Sequence, residues 1–264
     1  MKIFPFFISI LLLFSCSQYR AYQQVLKSTD PNFQYTQAVS YFNNGDYARS
    51  LELFENLLTI FKGDELAEDI YYYYVYANFN INDYMSTIYH ADNFVTNFIL
   101  SPKKEEIAYL SAYCHYLDTP RSSLDQSNTQ KALNKLEMFI VNYPESDSLE
   151  RVTSLVLDLN KKLEKKHFDN ARLYYDTGKY KSAIFAIDFF LNDFPETNYL
   201  EEISFTQLLS YYELAKNSVD EKKLQRIKEA IFACDNFIIV FADGVYYDEA
   251  KNIYKKLKDI ENGL

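Results

Sequence analysis

Tryptophan is absent from this 264-residue chain; glycine occurs five times, proline six times and cysteine three times. Each scarcity excludes something. Phosphate-cradling loops need backbone without Cβ, so five glycines argue against Rossmann and P-loop enzymes. An all-β fold rich in tight turns is disfavoured on the same ground. Basic side chains are outnumbered 37 to 27, a formal charge of −10. Phosphate binding rests on clustered lysine and arginine, so no nucleic acid is expected as a partner. No His-Glu-x-x-His, Gly-x-Ser-x-Gly or paired-cysteine spacing occurs, and His90, His115 and His167 are scattered. Cys114 and His115 are neighbours that diverge by about 100° on a helix, a poor metal pair. Neither catalysis nor a metal nor a cofactor is expected. Cys114 and Cys234 sit in apolar, helical-looking surroundings, as buried thiols do. Whether they pair is left open.

What is abundant is apolar and aromatic. Hydrophobic residues make up 48% and aromatics 17%, with 25 tyrosines. The chain opens Met1-Lys2, then runs almost wholly apolar from Ile3 to Phe14, then Ser15-Cys16. One positive charge, a short apolar run and a small residue before the cut describe a secretory signal peptide. A dozen apolar residues are too few to span a bilayer, which needs about 20. The cysteine directly after Ser15 resembles a bacterial lipobox. That resemblance implies a diacylglyceryl group on the Cys16 thiol and acylation, as with palmitate, of the new amino terminus. Several acyl chains on one residue anchor stably, where one would be marginal. The absence of an acidic run in Ser17-Gln18-Tyr19-Arg20 points to the periplasmic side.

The remainder repeats itself. Ala38…Tyr41…Gly45-Asp46-Tyr47…Ser50…Phe54…Leu57 matches Ala171…Tyr174…Gly178-Lys179-Tyr180…Ala183…Ile187…Phe190. Val75, Asn78, Asn82-Asp83-Tyr84, Thr87, Ala91 and Phe94 form a third copy with Asn in the turn. Ala132, Leu136, Phe139 and Tyr143-Pro144-Glu145 keep the second half, as do Ala230, Cys234, Phe237 and Phe241-Ala242-Asp243. A helix, a tight turn and an antiparallel helix account for the pattern, which fits a tetratricopeptide repeat. Gly or Asn supplies a left-handed turn residue, and the following Tyr packs back over it. The small residue lets two helices approach, and proline ends the second helix.

The predicted fold is therefore all-α, a tetratricopeptide-repeat superhelix of about five helix-turn-helix units plus a C-terminal capping helix. The units are expected at 31–64, 65–102, 103–147, 164–198 and 199–245, with the cap from Tyr246 to Ile260. Lys-rich 159–166 is expected to end a helix that runs on into the fourth unit. By segment, 1–15 is the signal peptide and 16–30 a lipidated linker. Units one to three fill 31–147, and units four and five with the cap fill 148–264.

A lipobox followed by divergent tetratricopeptide units resembles the BamD family of outer-membrane β-barrel assembly lipoproteins. Three segments carry the resemblance. They are the first repeat from Ala38 to Phe54, the long insertion of the third unit, and Phe139-Ile140 with Tyr143-Pro144. The insertion holds Thr119-Pro120-Arg121 and Leu124-Asp125-Gln126-Ser127-Asn128-Thr129. Phe241-Ala242-Asp243 departs from the family's tendency to Phe-Pro-x-Ser, and the second unit's stop is shifted to Ser101-Pro102. The Tyr-, Lys- and Asn-rich style resembles a Bacteroidetes version. The resemblance implies a non-enzymatic scaffold, anchored by lipid to the outer membrane and facing the periplasm. Implied partners are the periplasmic domains of a BamA-like barrel insertase and the C-terminal signal strands of unfolded outer-membrane proteins.

Two residue groups are candidates for those contacts. Tyr71-Tyr72-Tyr73-Tyr74-Val75-Tyr76 cannot all be buried on one helix. Two or three rings are expected in the core, the others on the inner surface, where repeat proteins bind extended peptides. Tyr41, Phe42, Tyr71, Tyr72, Tyr73 and Tyr76 are the candidate peptide-binding residues; plain inter-repeat packing is the competing reading of each. Asp118, Arg121, Asp125 and Gln126 are candidates for docking a further assembly subunit. The competing reading is a self-satisfied loop, with Ser127 or Thr129 capping the next helix. The acidic run Asp64-Glu65, Glu68-Asp69 is expected as an exposed first turn favoured by the helix dipole. A different class of function, a tetratricopeptide lipoprotein binding a nutrient glycan for a TonB-type transporter, is the alternative. The lack of tryptophan for sugar stacking weighs against it.

Overall fold

The computed structural model describes residues 19–263, and these are helical apart from turns and caps. Residues 19–26 form α1. The remaining helices are α2 (Pro31–Asn43), α3 (Tyr47–Ile60), α4 (Ala67–Asn80), α5 (Tyr84–Asn97), α6 (Lys104–Leu117), α7 (Ser127–Asn142), α8 (Leu149–Asp176), α9 (Tyr180–Asp193), α10 (Leu200–Lys216), α11 (Asp220–Val240) and α12 (Tyr247–Asn262). No strand occurs among the described residues. The lipidation site Cys16 and the leader lie outside them. The chain is an all-α tetratricopeptide-repeat protein. Residues up to Pro120 with Gln126–Leu157 form one compact unit; Arg121–Asp125 with Asp158 onward form another.

Three helix pairs, α2 with α3, α4 with α5 and α8 with α9, turn in the same way. The turn residues Gly45, Gly178 and Asn82 all have positive φ, at 79°, 72° and 62°. That conformation closes the helix with a bond back to its last turn: Asp46 N to Tyr41 O, Lys179 N to Tyr174 O, Asp83 N to Asn78 O. The next tyrosine folds over the turn: Tyr47 meets Phe42 at 5.3 Å and Tyr180 meets Tyr175 at 5.8 Å. The small residues Ser50, Thr87, Ala132, Ala183 and Ala230 are all buried. So are the apolar residues four and seven positions later, Phe54 and Leu57 through Cys234 and Phe237. These rows are the core, and the periodicity alone locates them.

The second helix of each pair ends on an aromatic. Phe98, Tyr143, Phe194 and Phe241 occupy C-caps, and each donates its N–H to the carbonyl of an aromatic one turn earlier. The two rings pack at 4.8, 5.0, 5.4 and 4.8 Å. A hydroxyl then starts the following helix. Ser101, Ser146 and Thr197 accept the N–H groups of Lys103, Ser148 and Tyr199. The last turn lacks such a hydroxyl, having Ala242-Asp243-Gly244. There Glu201 reaches across from α10 and accepts the N–H of Tyr246 at 3.0 Å.

Candidate functional site

The tyrosine run lies on α4. Its rings divide by helix face, as a 100° step dictates. Tyr74 alone is buried; Tyr71, Tyr72, Tyr73 and Tyr76 are half-buried. The expectation of two or three core rings is thus met by one, because the others pack with one flank and leave the other open. Tyr71 turns toward α5, within 6.1 Å of Phe94 and 6.0 Å of Phe98, its hydroxyl 3.2 Å from His90 Nδ1. Tyr73 stacks on Phe54 at 5.5 Å and takes the edge contact of Phe42 at 5.1 Å. Tyr41 leaves this group. It meets Tyr22 of α1 at 5.7 Å, and the Arg49 guanidinium lies over both rings.

Tyr72 and Tyr76 are one turn apart, with ring centroids 4.8 Å apart. Both hydroxyls donate to one carboxylate oxygen, Glu106 Oε1 on α6; the Tyr72 bond is 2.9 Å. Burial, then the bond to Glu106, raise the Tyr72 phenol to about 12, and the same causes raise Tyr76. Both phenols are therefore fixed donors at neutral pH. The Lys103 ammonium sits 4.9 Å over the Tyr72 ring and pairs with Asp69. Ser101 donates to Glu68 at 2.7 Å. Phe42, Tyr73, Tyr72 and Tyr76 therefore form a chain of contacting rings, bordered by Glu106, Lys103 and Asp69. Such a surface offers flat apolar area with polar groups along one side, which suits a peptide.

The acidic run differs from its expectation. Asp64 and Glu65 are exposed, but Glu68 and Asp69 are half-buried by their bonds to Ser101 and Lys103. Glu106 and Lys103 were not singled out from the sequence. Their signal is the spacing: Tyr72 to Glu106 and Asp69 to Lys103 are both 34 residues, one repeat, which sets equivalent turns of successive first helices side by side.

The candidate docking residues fall apart by unit. Asp118 is the C-cap of α6 and accepts from Asn128 at 3.0 Å. The N-cap of α7 is Gln126 itself, neither Ser127 nor Thr129, because Ser127 already has helical geometry. Thr129 is buried and donates to Gln126 Oε1 at 2.8 Å. Arg121 and Asp125 belong to the segment that clusters with the second unit, where Lys166 donates to the Ser123 carbonyl at 3.1 Å.

Two further polar centres in the first unit had no signal in the sequence. Asp92 on α5 accepts from Ser111 on α6 and from Lys135 on α7, both at 2.7 Å, tying three helices together. His115 Nε2 is buried without a hydrogen-bond partner, and burial followed by the Lys135 charge lowers its pKa. Cys114 and Cys234 are free, buried thiols. Among the described residues no group of three His, Cys, Asp or Glu is placed to hold a metal. No helix among them is long and apolar enough to cross a membrane.

Fold and surface together define a tetratricopeptide repeat protein with an aromatic face. A family model described as an outer membrane lipoprotein, YfiO, matches residues 27–181 and 160–264, and the chain belongs to that family. Its relatives include outer membrane protein assembly factor BamD of Pasteurella multocida, 18% identical over 173 residues, 62% of this chain and 66% of the relative. BamD of Caulobacter vibrioides is 24% identical over 142 residues, 54% of this chain and 47% of the relative. A putative BamD of Aquifex aeolicus is 24% identical over 270 residues, 85% of this chain and 88% of the relative. The match thus spans less than two thirds of the first two relatives. Among solved structures, a TPR repeats protein of Bacteroides fragilis is similar at a TM-score of 0.38 and 12% identity, covering 88% of this chain and all of that one. The TPR2AB domain of yeast Sti1 is similar at a TM-score of 0.42 and 10% identity, covering 86% and 98%.

Proposed function

We propose that this chain is a lipid-anchored component of the outer-membrane β-barrel assembly machinery. The observation that carries the proposal is the extent of the family match, from residue 27 to the last residue. In this reading the Cys16 thiol carries the anchor and the repeats face the periplasm. The protein acts as a scaffold, without catalysis. It holds the periplasmic domains of a barrel insertase and helps receive unfolded outer-membrane proteins. The ring chain Phe42, Tyr73, Tyr72 and Tyr76 on α2 and α4 is the receiving surface, since barrel signal strands end in aromatics. Tyr41 and Tyr71 stand outside the ring chain, each packed on a neighbouring helix. The insertion with Asp118, Arg121, Asp125 and Gln126 is the second docking element.

Two measurements test the reading. Tagged full-length protein is recovered from mildly solubilised membranes, and its companions are identified by mass spectrometry. A barrel insertase with repeated periplasmic domains is expected at near-equal amount; a TonB-type transporter alone would move the protein to nutrient uptake. The variant Tyr72→Ala with Tyr76→Ala is then compared with wild type for binding of a C-terminal barrel peptide. Weaker binding is expected. Unchanged affinity in a variant whose circular dichroism stays native would remove the aromatic face from the mechanism.

A further inference from the structure

A second surface, in the other compact unit, is independent of those tyrosines. A groove of about 810 Å³ opens between α9, α10 and α11. Buried Ile184, Leu208 and Phe237 line it. Four large apolar side chains stand open at it: Phe185 is 55% exposed, Phe232 67%, Val240 66% and Leu200 37%. Scattered exposed apolar residues need no explanation, but four gathered on one groove do.

Three cations face two carboxylates around it. Each carboxylate accepts from a neutral amide and keeps its charge. Gln207 donates to Asp188 at 2.5 Å and Gln225 donates to Glu229 at 2.9 Å. Its three cations are Lys181, Lys222 and Arg226, and no ion pair among the described residues uses any of them. Arg226 donates to the Ser218 hydroxyl at 2.7 Å, which keeps its positive charge uncompensated. In a chain of net charge −10, this groove carries one more cation than carboxylates, beside apolar surface.

We propose that the groove takes an acidic amphipathic helix of a partner polypeptide. Its apolar stripe packs on Phe185, Phe232 and Val240, and its carboxylates meet Lys181, Lys222 and Arg226. A helical occupant is chosen because it brings its own backbone already satisfied and because its length fits the groove. A helix satisfies its own backbone and needs only side-chain contacts. The lining runs along α10 from Leu200 to Leu214, a length of about 21 Å, which matches a helix of about 14 residues. The apolar leader of this chain carries no carboxylate, so the charge pattern selects against it as the occupant.

The test uses the full-length chain and two labelled synthetic helices of about 18 residues. Both carry Leu at i, i+3, i+4 and i+7; one is flanked by Glu, the other by Lys. By fluorescence anisotropy the Glu peptide is expected to bind about tenfold or more tighter than the Lys peptide. The gap should narrow as salt is raised. Lys181→Glu with Lys222→Glu should reverse the preference, and Phe232→Asp should abolish binding of both. These side chains lie at the surface, and circular dichroism checks that each variant folds. Equal binding of the two peptides, or a preference that survives charge reversal, overturns the proposal. So does a self-association seen in sedimentation and lost in Phe232→Asp, which would assign the groove to a second copy. Binding to phosphatidylglycerol vesicles lost in the same variant would assign it to lipid and overturn the proposal equally.

Discussion

The cap at Tyr246 shows how one residue's absence is made good by another far away. Helices α6, α8 and α10 follow a Ser or Thr that accepts a backbone N–H, and α12 instead takes the Glu201 carboxylate. The space for that carboxylate exists because residue 244 is glycine: a Cβ there would fall on Glu201 Oε1. Gly244→Ala is therefore expected to displace Glu201 and cost about 1 kcal/mol, the usual worth of an N-cap. Glu201→Ala should cost a similar amount. The double variant should cost no more than either alone, since both remove one interaction. Urea denaturation of the four proteins measures this, and full additivity would refute the coupling. The departure at Phe241-Ala242-Asp243 is visible in the sequence. Its remedy is not, because the fifth unit is long: Glu201 precedes Tyr246 by 45 residues, against 34 from Tyr72 to Glu106. Glu106 was missed for a related reason. Glu105 and Glu106 in a helix's first turn are already explained by the dipole, and only the 34-residue register reveals the two phenols on Glu106.

Those phenols also set a pH dependence. The folded Tyr72 phenol stands at about 12 against 10 when unfolded. A pKa raised by folding gives stability that is complete below the unfolded value and lost as pH rises toward the folded one. Stability should therefore fall between about pH 10 and pH 12. Glu106→Gln removes the carboxylate's share of the shift and leaves the burial. In that variant the part of the phenolate absorbance that is lost in Tyr72→Phe with Tyr76→Phe should appear at lower pH. An unchanged titration would mean that burial alone sets the shift.

At the scale of the element, the small buried residue of each second helix carries the repeat. The rows Ser50-Phe54-Leu57 and Ala183-Ile187-Phe190 were legible because one period repeats in every unit and because the residues four and seven positions on are apolar in all of them. Ala183 is fully buried, so Ala183→Leu drives a side chain into the helix contact and should cost about 1–3 kcal/mol. Phe189→Leu, on the exposed side of the same helix, should change stability by less than about 0.5 kcal/mol. Comparable losses from the two would mean that the small position does not set the packing. Helix α8 was legible only in part. Its lysine-rich middle reads as one helix running on, but the repeat pattern begins a unit at 164, while the helix starts at Leu149. No glycine or proline lies between Pro144 and Gly178, so nothing in that stretch interrupts it.

At the scale of the molecule, each compact unit carries one buried thiol, Cys114 in the first and Cys234 in the second. Burial raises both to about 12, against an ordinary 9.0. Only the thiolate reacts, so at pH 8 the reactive fraction of each falls by about a thousandfold, before any steric shielding is counted. Alkylation then proceeds through opening of the surrounding helices, and its rate follows the open population when reclosing is fast. In the Cys16→Ala chain, which leaves these two thiols as the only ones, neither should label in native buffer over the time in which both label fully in urea. Ala183→Leu acts inside the second unit, so it should speed the labelling of Cys234, resolved by peptide mapping. Rapid native labelling of either cysteine would contradict the packing around α6 or α11 that places these side chains in the core.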